Sequence, residues 1–472
     1  MPAKIDLVPK QPVLTETAPR AWRYWPVFAM LGTAAVLTAF GFWSQTVFLP
    51  NTRFRHPPIY GHFGPTFSPL GWWLIPAGLL LAAVGWVVTS VRRVPSWLAL
   101  AVIVASAWLT SIAVNLVRGD RTALYIGVST AQDVTYYTRD LGFVDQFGVR
   151  GFVENFPYLV RQFGTYNNKT HPPGVLVMLW TVSKVIGDHA FRITTVLAIV
   201  SLLTAVGAWA MGRSYGGERA GRIAAVLAVA APGPLMLAYT NMDVIFAAFF
   251  SISAALFVVG ARRRSIALTA AGGAVAGLAT FLTYATSFLV LAVAIAVVVE
   301  VRSVRQSLRL LGAAVVGGLA VLLVLRLTLG FDLWACFQAR NHSGGPFYPY
   351  WLAGHPASVL MWAGLPLAAL GLAGLIVKVP GACRPVLPLV LAATMLVWGM
   401  LPPVVNDLRQ GEVERTWAFL YPMFAAAAGP VIAYWTESTR LTRLWAGSLV
   451  FALVAVSVAQ AGLLQALWDN LL

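Results

Sequence analysis

Windows of about 20 apolar residues recur along the chain from Trp25 to Leu467, each long enough to cross a hydrocarbon core of about 30 Å. In lipid such segments must be helices, because only a helix satisfies its backbone groups within one segment. The pattern breaks at length only once. Between Arg118 and Thr170 runs a polar segment holding Asp120, Asp133, Asp140, Asp145 and Glu154, and it leads straight into His171-Pro172-Pro173-Gly174 and a further apolar stretch. In a chain otherwise suited to lipid, this is where chemistry at a membrane surface would be assembled.

Composition agrees with the pattern. With 59% hydrophobic and 11% charged residues and a mean hydropathy of +0.75, the chain is far from the roughly one-quarter charged residues of a soluble domain. An all-α polytopic membrane protein is predicted. The first apolar stretch is too long for a cleaved signal peptide and no small-residue cleavage site follows it, so it reads as a retained helix. Cys336 and Cys383 are too few for a disulfide framework. A net charge of +16 would point to nucleic acid in a soluble protein; here the basic residues sort by loop and report topology, and no nucleic-acid partner is expected.

The N-terminal tail carries Lys4, Lys10, Arg20 and Arg23, which places it in the cytoplasm by the positive-inside rule. Continuing the alternation, every turn predicted inside is basic: Arg92-Arg93; Arg213, Arg219 and Arg222; Arg262 to Arg264; Arg302, Arg305 and Arg309; Lys378 and Arg384; Arg440 and Arg443. The alternation holds only if the apolar piece from Pro172 to Ile186 does not cross. At about 15 residues it is short for a span, and it is expected to lie along the outer surface. About thirteen crossings result, near 24–48, 70–91, 96–117, 190–211, 222–239, 244–261, 265–281, 284–301, 308–328, 356–377, 385–402, 416–436 and 443–466. This topology puts Cys336 and Cys383 on opposite sides of the membrane. The expected organisation is a cytoplasmic tail (1–23), a transmembrane hairpin (24–95), a module (96–300) that includes the outer loop 118–189, and a C-terminal region (301–472) with outer loops 330–356 and 403–416. Most acidic residues then gather outside, mixed with arginines, which fits a polar site better than a passive surface.

Three clusters carry candidate chemistry. The first is Gln132-Asp133-Val134-Thr135-Tyr136-Tyr137, followed by Tyr166, Lys169 and His171-Pro172-Pro173-Gly174. Proline fixes its own backbone and disfavours helix before it, so His171 is held in an extended turn as the next helix starts. A plain helix-start signal explains the same residues. The second is Tyr239-Thr240-Asn241-Met242-Asp243, where Asp243 reads equally as a helix cap or a site acid. The third is the run from Asn406 to Trp417, with Arg409, Glu412, Glu414 and Arg415. Its arginines suit a lipid phosphate and Glu412 suits sugar hydroxyls, against the routine alternative of interfacial anchoring by Arg415 and Trp417. Arg340 and the aromatic residues of the 330–356 loop suit sugar stacking but read first as an interfacial belt. No His-x-x-x-His spacing supports a zinc hydrolase.

In order, an outer-loop Asp, a stretch bearing a Tyr, His-Pro-Pro-Gly entering a surface helix, two spans and a second Asp resemble the membrane glycosyltransferases of the GT-C superfamily. The likeness is to the protein mannosyltransferase and aminoarabinose transferase branch, over roughly residues 96–300. It implies transfer of a sugar from a polyprenyl-phosphate donor to an acceptor hydroxyl on an envelope glycan, lipid or protein, at the outer face of the cytoplasmic membrane, with inversion. Asp133 matches the first catalytic acid and Asp243 the second, while Tyr137, Tyr166, Lys169, His171, Arg409, Glu412 and Arg415 are the expected substrate-binding residues. The chain departs from the pattern in having two crossings before the matching region and Val134 where many relatives carry a second acid. A divalent cation between Asp133 and Asp243 is the one cofactor to consider, although oxygen-only sites usually need more than two carboxylates. Two other classes stay open on sequence: a transporter or lipid flippase, disfavoured by the lack of midplane charges or internal repeats, and a ligase or polymerase using a diphosphate donor.

Overall fold

The computed structural model describes residues 25–48, 62–119, 121–125, 128, 137–301, 303–340, 348–401, 413–438 and 443–469. They form an all-helical protein, with one two-residue bridge in which His62 faces Asp469 and Phe63 faces Trp468. Among the described residues six helices are long and apolar enough to cross a membrane: Pro69–Ser90, Ser96–Asn115, Ala190–Ala230, Asp243–Arg263, Val304–Leu329 and Ala446–Leu467. Shorter apolar helices include Ile266–Leu282, Thr286–Val301 and Val386–Met400. The full set of thirteen expected crossings is therefore not reached by length alone.

Two of the differences have local causes. Ala190–Ala230 is not one rod: Gly216 and Gly217 leave helical geometry, Gly217 at a φ of 84°, and the chain reverses there as the sequence expects between two spans. The crossing expected near 356–377 is instead broken at Gly364, whose φ of 83° ends one helix before Pro366 sits in the first turn of the next. The two halves, Gly354–Ala363 and Leu365–Ile376, meet at 112°. Gln460 satisfies the groups freed by the break, accepting from the Leu365 N–H at 2.8 Å and donating to the Met361 carbonyl at 2.9 Å.

The most buried helices are rich in Ala and Gly. The second half of Thr204–Ala230 lies against Leu420–Ser438, where any side chain on Gly429 would strike the Ala220 carbonyl. Small residues let helix backbones approach where lipid offers no hydrophobic driving force between helices.

The turns sort onto two rims. On one, Arg222 donates to the carbonyls of Val88, Val91 and Val94 at 2.9, 3.0 and 2.6 Å and pairs with Glu218 at 3.0 Å. Ser96 also bonds Glu218, Cys383 N–H reaches the Tyr215 carbonyl, and Arg262 donates to the Ser214 carbonyl and contacts Cys383. These are the turns expected inside. The other rim joins Ser68 to Val117, Thr194 to Leu124 and Phe281 to Phe331. The helix Gly174–Ile186 lies on this second rim at both ends: Gly174 abuts Phe281, and Lys184 pairs at 2.9 Å with Asp145 of the helix Gly142–Leu159. Cys336 follows Phe331 on this second rim, and Cys383 belongs to the first.

Candidate active site

His171 enters through the turn that Pro172 requires. Its backbone is extended at φ −110° and ψ 158°, between the short helix Tyr166–Thr170 and the helix Gly174–Ile186. Pro172, Pro173 and Gly174 are buried, and a side chain at 174 would collide with the Phe281 carbonyl. The glycine is what lets the surface helix seat against Ile266–Leu282. The imidazole sits 5.9 Å from the ring of Tyr137 and 5.2 Å from that of Phe246. Burial between these rings lowers its pKa from 6.5 to about 4; the nearby Asp243 carboxylate pulls upward and Arg415 downward by lesser amounts. At neutral pH the ring is uncharged.

Phe246 belongs to the helix Asp243–Arg263, whose first residue is the second expected acid. The Asx bond at this helix start is made by Asn241, whose side-chain oxygen accepts from the Asp243 N–H at 2.8 Å. The Asp243 carboxylate is left to pair with Arg415 at 3.2 Å, the two side chains 7% and 14% exposed. The cap alternative thus passes to Asn241. Upstream, the segment leading into the helix is held by Ser111 and Asn115, which donate to the Leu235 carbonyl at 2.6 and 3.2 Å, and by a 2.7 Å bond from Trp108 to the Tyr239 hydroxyl. Arg415 comes from the short helix Val413–Thr416. Trp417 beside it packs on His355 at 5.4 Å, and Gly399 leaves room for both rings.

Tyr137, His171, Asp243 and Arg415 are thereby brought together. Lys169 lies half-buried two residues before His171. Tyr166 opens the helix before it. Asp133, Arg409 and Glu412 lie outside the described residues. Other outer charges belong to ordinary pairs rather than to this site: Asp145 with Lys184, Arg150 with Glu154, and Arg326 with Asp332, which also caps the helix Leu333–Ala339. These three pairs are exposed, of the kind worth little energetically. Arg340, expected in an interfacial belt, is instead 6% exposed, its guanidinium 3.6 Å from the Phe337 ring centre. Asp140 is a second buried acid that the sequence does not distinguish from its neighbours.

No group of three His, Cys, Asp or Glu side chains suited to a metal ion occurs among the described residues. The Asp243 carboxylate is already matched by a guanidinium, so a cation there would have to displace Arg415. The described residues do not offer a cation the ligand set it needs.

Residues 170–326, about a third of the chain, match the model of the dolichyl-phosphate-mannose-protein mannosyltransferase family. No curated protein matches the chain. Among solved structures the chain is similar to ArnT from Cupriavidus metallidurans bound to undecaprenyl phosphate, at 16% identity and a TM-score of 0.49, covering 79% of this chain and 76% of that one. It is also similar to the Archaeoglobus fulgidus oligosaccharyltransferase in complex with zinc and sulfate, at 14% identity and a TM-score of 0.41, covering 78% of this chain and 53% of that one. The family match begins at the residue before His171 and takes in Asp243. Over that third of the chain the match bears out the resemblance to the GT-C membrane glycosyltransferases.

Proposed function

We propose that the protein takes a sugar from a polyprenyl-phosphate donor and transfers it to an acceptor hydroxyl at the outer face of the cytoplasmic membrane. The observation that carries this reading is the buried Asp243–Arg415 pair beside a neutral His171, on the rim that holds the surface helices. The matched family, whose description names a dolichyl-phosphate sugar, supports the donor class.

The chemistry asks for a base at the acceptor oxygen and positive charge at the departing phosphate, whose low basicity removes the need for a strong acid. Asp133 is the proposed base. It takes the acceptor proton as that oxygen bonds the anomeric carbon; the bond from that carbon to the phosphate oxygen breaks, and polyprenyl phosphate leaves with the electron pair. Displacement in line inverts the anomeric centre. Arg415 meets the leaving phosphate through paired N–H donors, and Asp243 holds the guanidinium in place between turnovers. His171, uncharged, offers hydrogen bonds to the sugar or phosphate without adding a buried cation, and Lys169 supplies charge at the edge. Arg409, Glu412, Tyr137 and Tyr166 complete the proposed donor and sugar contacts.

The test uses the protein purified in detergent, with a panel of polyprenyl-phosphate and polyprenyl-diphosphate sugars and a mixture of envelope acceptors. Release of polyprenyl phosphate from one donor, lost on Asp133→Asn, is expected. Unchanged release from that variant would remove Asp133 from the mechanism, and turnover confined to diphosphate donors would overturn the donor assignment.

A further inference from the structure

Asp140 is 3% exposed and sits at the end of the short helical turn Tyr137–Asp140, outside the set of residues given a chemical role above. Its carboxylate collects four donors from one later stretch of the same loop. Oδ1 accepts from the Gly164 N–H at 2.8 Å. Oδ2 accepts from the Thr165 hydroxyl at 2.8 Å, the Thr165 N–H at 3.3 Å and the Asn168 amide at 2.5 Å. The Asn168 amide also donates to the Tyr137 carbonyl at 3.0 Å. Thr165 and Asn168 are themselves 1% and 2% exposed.

A solvated loop acid does not gather donors in this way, and none of these partners is a cation. Two backbone N–H groups, a hydroxyl and an amide meet one carboxylate in a buried pocket, a set that occupies its acceptor sites and fixes its direction. Thr138 ties the same turn to the Val128 carbonyl at 3.0 Å. The bonds close a ring between Tyr137 at one end and Lys169 and His171 at the other. Asn168 is next to Lys169, and the Tyr137 ring faces His171 at 5.9 Å. From His171 the contact runs through Phe246 to the helix that begins with Asp243.

We infer that Asp140 is a positioning residue for transfer: it holds the Lys169–His171 turn against Tyr137, and so sets where the donor's sugar phosphate is met relative to Asp243 and Arg415. The inference rests on the proposed transfer reaction but not on which residue is the base. A misplacement of about 1 Å at a reacting centre can cost on the order of 100-fold in rate.

The experiment compares Asp140→Asn, Thr165→Val and Thr165→Ser with wild type in the donor-turnover assay, alongside melting temperature in detergent and affinity for polyprenyl phosphate. Thr165→Val removes one donor at nearly constant shape, while Thr165→Ser keeps it. Positioning predicts that the turnover rate at saturating donor drops by about tenfold or more for Asp140→Asn and by less for Thr165→Val. It predicts recovery in Thr165→Ser, and polyprenyl phosphate affinity within about threefold of wild type in all three. Wild-type turnover in Asp140→Asn overturns the inference. So does a loss of activity matched by a fall in melting temperature and not restored by serine, which would make the cluster a purely structural tie. Asp133→Asn, measured in parallel, keeps the two readings apart: its full activity would strike the proposed base and leave the Asp140 result standing.

Discussion

Asp243 and Arg415 are 172 residues apart in the chain, yet their side chains meet at 3.2 Å with little solvent on either. A pair so placed costs much to desolvate and is a weak source of stability on its own, whereas breaking it leaves an unmatched buried charge. Its place on the rim that carries His171 is better explained by use than by folding.

Removing one partner separates these roles. Asp243→Ala is expected to destabilise the protein by about 3 kcal/mol, in the range for an orphaned buried charge, and Asp243→Ala with Arg415→Ala by less than the sum of the two single changes. Arg415→Ala should lower turnover by about 100-fold or more, the scale for losing a donor aimed at developing charge. Thermal unfolding in detergent with a double-mutant cycle, and the donor assay, measure the two effects.

The depressed pKa of His171 fixes a pH dependence. The folded protein holds the ring neutral down to about pH 4, while the unfolded chain protonates it near 6.5. In that window the unfolded state binds more protons, so this residue's contribution to stability is present above pH 6.5 and is lost as pH falls toward about 4. Melting temperature measured from about pH 7.5 down to about pH 4 should decline more steeply for wild type than for His171→Gln. The rate profile should show no inflection near 6.5 from this residue.

Gly174→Ala is expected to cost about 1–3 kcal/mol, because the added methyl meets the Phe281 carbonyl, a backbone atom that cannot step aside. Lower yield of folded protein and a lower melting temperature check it. Gly142→Ala, where a methyl meets nothing, serves as the control.

These outcomes depend on features that the sequence shows unequally. His171-Pro172-Pro173-Gly174 is readable because proline and glycine constrain the backbone by local sterics alone, and the short apolar run after it is readable from its length. Asp243 stands at a span end, where few residues compete for notice. Asp140 is not readable, since five acids share its loop and only folding decides which one is enclosed by Gly164, Thr165 and Asn168. Arg415 is ambiguous in the sequence for a similar reason: its partner lies in a distant helix. The bend at Gly364 escapes hydropathy altogether, because both arms are apolar and the angle depends on one left-handed glycine and on Gln460 from another helix.

A lipid-linked donor and an extracytoplasmic acceptor meet at this site only if its rim faces out, so sidedness decides the whole assignment. Single cysteines at Tyr158 and Val185, both highly exposed on the site rim, can be probed in intact cells with a membrane-impermeant maleimide, with the native Cys383, exposed on the arginine-rich rim, as the internal comparison. Cysteines at 158 and 185 are expected to label from outside, while Cys383 labels only after the membrane is opened. Labelling of Cys383 in sealed cells, with 158 and 185 silent until lysis, would contradict it.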